Sequence, residues 1–78
     1  MVKYKLLELT DKLAVYEYYP EGKKDFPGTI SVNRESGNYE IEDSPEDFGH
    51  LYAHHVRRRI KQYIENNYFE NEGMVAWY

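Results

Sequence analysis

Ser44-Pro45-Glu46-Asp47 decides how this chain is read, because it marks where strand-like patterning gives way to helix-like patterning. Ser44 is a favourable N-cap, Pro45 suits the first helical position, where its missing N–H is not needed, and Asp47 stands three residues after the cap as a capping-box variant. Downstream, Phe48, Tyr52, Val56, Ile60, Tyr63 and Ile64 recur at helical spacing. Side chains so spaced share one helix face, so the pattern predicts one amphipathic helix over residues 45–67. Gly49 falls inside its first turns, at a cost of about 1 kcal/mol relative to alanine.

Everything before Ser44 reads as sheet. Val2–Leu9 and residues 12–19 are rich in β-formers and are joined tightly at Thr10-Asp11, which suggests a hairpin. After the turn at Pro20-Glu21-Gly22-Lys23 and a loop through Asp25-Phe26-Pro27-Gly28, residues 29–34 and 39–43 alternate polar and apolar side chains on either side of Glu35-Ser36-Gly37-Asn38. Beyond the helix, residues 74–78 (Met-Val-Ala-Trp-Tyr) are too apolar to hang free and read as a fifth strand. The order ββββαβ therefore predicts an α+β fold: an antiparallel or mixed sheet of four to five strands with one amphipathic helix packed on one face.

Seventy-eight residues make a single domain, and the absence of cysteine rules out disulfides, thiolate chemistry and cysteine zinc sites. Leu6-Leu7 is interrupted at once by Glu8, so the N-terminus is neither a signal-peptide core nor a membrane span, and a soluble cytoplasmic protein is expected. Nine tyrosines against three phenylalanines and one tryptophan are the compositional anomaly. Tyrosine suits half-buried sheet surfaces, since its ring can be buried while its hydroxyl stays wet.

Two groups of residues are candidates for function. Leu7, Leu9, Leu13 and Val15 fall opposite Tyr4, Leu6, Ala14 and Tyr16 by strict alternation, so both faces of the first hairpin carry apolar side chains. One helix covers one face only, so the surplus either marks a protein interface or homodimer contact or is covered by sheet curvature and the loop around Phe26 or the segment around Tyr68-Phe69. The second group is His50, His54, Arg57, Arg58 and Lys61, which helical geometry places opposite the apolar stripe, as an anion or nucleic-acid contact. A solvated face answering Glu40, Glu42, Asp43, Glu46 and Asp47 explains the same residues, and the net charge of -4 disfavours a general polyanion binder.

Other chemistries have less support. His50 and His54 are spaced to share a divalent metal, yet two histidines without a further pair or an HExxH pattern do not make a zinc site. Ser31, Ser36 and Ser44 are accounted for by strand, turn and cap positions, and the scattered glycines form no phosphate-cradling loop. Tyr16, Tyr18, Tyr19 and Tyr39 lack the interleaved basic residues of a base-stacking platform. No catalytic residue, cofactor or metal is therefore assigned.

Three stretches, Phe26-Pro27-Gly28-Thr29-Ile30-Ser31-Val32, Glu46-Asp47-Phe48-Gly49 and Glu72-Gly73-Met74-Val75-Ala76-Trp77-Tyr78, carry a resemblance. Taken whole, the chain resembles a group of short proteins of Gram-positive bacteria and their phages. That resemblance implies a bacterial cytoplasmic setting and a phage linkage, and it implies no activity. The expectation is a non-catalytic protein-interaction module, homodimeric through the far sheet face, with nucleic-acid or anion binding through the basic helix face as the alternative.

Overall fold

Period-two alternation before Ser44 does build sheet. The computed structural model describes residues 1–77 and contains β1 (Val2–Leu9), β2 (Leu13–Pro20), β3 (Gly28–Asn33), β4 (Tyr39–Glu42), α1 (Leu51–Asn66) and β5 (Glu72–Val75). The strands form one five-stranded sheet in the order β4-β3-β2-β1-β5. Every neighbouring pair is antiparallel, so β5 returns alongside β1 at the edge opposite β4. The single helix packs on β1, β2 and β3. This is the α+β fold in ββββαβ order that the sequence patterning anticipates.

Register decides which side chains meet the helix. Tyr4 stands opposite Tyr18, Tyr16 opposite Leu6 and Ile30, and Ala14 opposite Val32, so these residues share one face. All but the partly buried Leu6 are buried, together with Val2, against Ala53, Val56, Ile60 and Tyr63 of α1. Burying an aliphatic or aromatic side chain of this size contributes about 1.5–3 kcal/mol. Much of the tyrosine surplus is therefore core. Each buried hydroxyl is satisfied: Tyr4 shares a 2.6 Å hydrogen bond with Tyr63, Tyr16 donates to the Glu70 carbonyl at 2.7 Å, and Tyr18 donates to Asp47 at 2.7 Å. Among the described residues no buried side-chain nitrogen or oxygen lacks a partner.

The helix begins later than Ser44 signals. Ser44 is buried and closes a turn instead, its Oγ accepting from the Glu46 N–H at 3.1 Å and its carbonyl accepting from the Asp47 N–H at 3.0 Å. A short 3-10 turn at Phe48–His50 follows, with Gly49 at φ 69° and His50 at φ 61°. Two successive left-handed residues turn the chain sharply, and α1 starts only at Leu51. The bend brings Asp47 back over the helix end. Its carboxylate accepts from Tyr52 N–H at 2.9 Å and Ala53 N–H at 3.1 Å, the duty normally held by an adjacent N-cap. At the other end Asn67 adopts the left-handed conformation, and the Asn67 and Tyr68 N–H groups return to the Ile64 and Tyr63 carbonyls as a Schellman stop.

Two further expectations change. Leu6 pairs with Tyr16 but Glu8 pairs with Val15, so Leu7 is the extra residue of a bulge. One inserted residue reverses every later side chain, and Leu9 therefore pairs with Ala14 on the helix side. The fifth strand ends at Val75, and Trp77 lies beyond it, half-buried against the helix rather than within the sheet; Tyr78 of the expected strand lies outside the described residues. Among the described residues no helix is long and apolar enough to cross a membrane.

Candidate interaction surface

The bend that delays the helix also exposes its first apolar residues. Phe48, expected to lead the buried stripe, is 82% exposed, and Leu51 one turn on is 50% exposed. Both border an open depression of about 580 Å³ whose remaining walls are Gly49, His54, His55, Arg57 and Arg58. An exposed phenylalanine and an exposed leucine thus stand beside a turn whose left-handed conformation Gly49 adopts.

Basic side chains surround it. His50 is tied by its Nδ1 to the Asp43 carboxylate at 2.5 Å, which links the bend to the end of β4. His54 meets the edge of the His50 ring and of the Tyr39 ring, and the Arg57 guanidinium lies 4.7 Å over the same Tyr39 ring. Arg57 Nε lies 3.5 Å from His54 Nδ1, a long contact that leaves most of its donors free. Among the described residues Arg57, Arg58 and Lys61 form no ion pair. Arg57 and Lys61 instead line a second cleft, of about 390 Å³, together with Glu35 and Glu65. Four of the five basic candidates are thus gathered around two adjoining depressions on one side of α1, with His50 at the bend beside them.

Arg59 belongs elsewhere. It points to the sheet, where its Nη1 donates to the Tyr4 hydroxyl at 3.3 Å. Next to the depression, Trp77 stacks on His55 with ring centroids 3.8 Å apart and planes 11° apart, and it also meets Tyr52. Burial first, then the nearby Arg58, the N-terminal ammonium and His54, hold the His55 pKa below the usual imidazole value. Nothing in the sequence signalled this stack, since helical spacing alone cannot show where a chain end returns.

The four apolar interface candidates do not form one patch. Leu13 and Val15 share the face away from the helix and are only partly exposed, Leu7 is half-exposed in the bulge, and Leu9 lies on the helix side with 42% exposure. Val15 stands in a row with Glu8, Ser31 and Glu40, so its cross-strand neighbours are polar. Among the described residues no group of three or more histidine or acidic side chains could hold a metal. No protein-family model matches the chain, and comparison with curated proteins and with solved structures found no match.

Proposed function

We propose that this domain is a non-catalytic interaction module that captures an acidic peptide segment carrying an apolar residue. The apolar residue packs on Phe48 and Leu51, and neighbouring carboxylates face Arg57 and Arg58. The observation that carries this reading is the pairing of an 82% exposed Phe48 with arginines that form no ion pair among the described residues. Interfaces are enriched in aromatic and arginine anchors, and a guanidinium binds a carboxylate bidentately. A long nucleic-acid strand fits less well. Glu35 and Glu65 line the cleft beyond Arg57, so a continuous phosphate backbone meets carboxylates on leaving the arginines.

Selection from a random peptide library against the whole chain tests this. Enriched peptides are expected to place aspartate or glutamate within a few residues of a leucine, phenylalanine or similar side chain, and to lose binding when Phe48 and Arg58 are both replaced by alanine. Enrichment of basic peptides, or binding indifferent to those two replacements, counts against the module. Tight, salt-sensitive binding of single-stranded nucleic acid at the same residues would replace the acidic peptide with a polyanion.

A further inference from the structure

On the sheet face away from the helix, the register leaves Lys3 without an acidic cross-strand neighbour. Lys5 stands between Glu17 on β2 and Glu72 on β5, so acids flank it on both neighbouring strands, although it forms no ion pair with either among the described residues. Lys3 stands instead between Tyr19 and Met74. Its methylenes lie along Gly22, where an added Cβ would be 3.5 Å away, which holds the side chain in one place. Glu21, beside Gly22, is already taken by the Met1 ammonium and the Tyr52 hydroxyl. Lys24 reaches the same place from the β2–β3 loop, and among the described residues neither Lys3 nor Lys24 forms an ion pair.

Lys3 and Lys24, with Lys5 and one carboxylate, Glu72, line a cleft of about 380 Å³, within the range of small-molecule sites. One wall is the Tyr19 ring, 8% exposed and fixed through its hydroxyl to Glu17; another is the half-exposed Met74. A flat aromatic wall, an adaptable thioether and lysines that outnumber the single lining carboxylate define a ligand with two parts. We propose that this cleft binds a small aromatic molecule carrying a doubly charged anionic group, a phosphate monoester being the simplest such chemistry. The aromatic body packs between Tyr19 and Met74, and the dianion lies between Lys3 and Lys24. The site is on the opposite side of the sheet from Phe48 and is independent of the interaction surface.

The test is an NMR titration of the full chain with phenyl phosphate, and with inorganic phosphate and phenol as the two halves of the probe. Phenyl phosphate is expected to shift the Met74 methyl and Tyr19 ring signals saturably and to bind about tenfold or more tighter than either half. The K3Q/K24Q double variant should weaken it by about tenfold or more while signals elsewhere stay in place, K5Q should matter less, and K3R/K24R should retain binding. F48A should change nothing. Absence of a saturable shift at Met74 and Tyr19, or equal affinity in K3Q/K24Q, overturns the site. Inorganic phosphate binding as tightly as phenyl phosphate overturns the aromatic half of the assignment.

Discussion

The Asp47 carboxylate accepts a 2.7 Å hydrogen bond from the Tyr18 hydroxyl while the same group caps the Tyr52 and Ala53 N–H groups, so one buried side chain ties β2 to the start of α1. Tyr18 in turn accepts from the Ser44 N–H at 3.2 Å, which fixes the turn leading into the bend. The exposure of Phe48 depends on this arrangement together with the His50–Asp43 contact, which between them hold the Gly49 bend.

Replacing Asp47 with alanine removes a cap and leaves a buried tyrosine hydroxyl short of its acceptor. The expected loss is about 2–4 kcal/mol, the sum of a cap and an unsatisfied buried group. Tyr18→Phe, which leaves Asp47 with both helix N–H groups but strips the Ser44 N–H of its acceptor, should cost about 1–2 kcal/mol. Urea denaturation of both variants checks the order; equal losses, or a near-neutral Asp47→Ala, would show that the cap is made elsewhere.

Phe48→Ser should change stability by no more than about 0.5 kcal/mol, since the ring is exposed. A core phenylalanine at that position would cost about 3–5 kcal/mol on truncation. Thermal unfolding separates the two cleanly.

Why one half of the fold was legible and the other was not follows from these residues. Strand pairing is local, and the alternation of Ile30 and Val32 against Ile41 survives intact in the structure. Ser44-Pro45 carries genuine turn-and-cap chemistry, but a serine whose Oγ accepts from the second residue on looks the same in sequence as one that caps a helix. Gly49 was readable as a cost and is instead the residue that makes the bend possible at φ 69°. The bulge at Leu7 has no residue signature, and that single insertion moves Leu9 off the expected face. The basic helix cluster was legible because helical spacing is robust to a late start. Its apolar neighbour Phe48 was not, because exposure there is a consequence of tertiary capping.

Gly73 stands opposite Tyr4, and a Cβ on it would come 2.3 Å from the tyrosine hydroxyl. Gly73→Ala should therefore cost about 1–3 kcal/mol by forcing Tyr4 off Tyr63. The same change in a Tyr4→Ala background should cost clearly less, giving a coupling a double-mutant cycle can read. Additive losses would mean that the two residues do not meet.

Stability should fall at both ends of the pH range. Burial pushes the Tyr16, Tyr18 and Tyr63 phenols well above their ordinary value, and burial followed by the Glu17 hydrogen bond pushes Tyr19 up to about 12. Raised folded values mean the fold holds these protons more tightly than the unfolded chain, so the stabilisation is complete below about pH 10 and is lost as pH rises towards the folded values. His55 has the opposite sign. Its folded pKa is depressed, so its contribution is present above about pH 6.5 and is lost as pH falls through the lower folded value. Ultraviolet titration of phenolate should show these tyrosines ionising only with unfolding, and His55→Gln should flatten the acid limb. Early, independent ionisation of every tyrosine with the fold intact would contradict the buried network.

The central claim, that the start of α1 is the binding surface, is tested most directly by mapping a selected acidic peptide onto the chain by NMR. The expected result is a contiguous set of shifted amides and side chains at Phe48, Leu51, His54, His55 and Arg58, abolished by Phe48→Ala with the melting temperature unchanged. Shifts confined to Leu13 and Val15 on the far sheet face, or a map unaltered by Phe48→Ala, would contradict it.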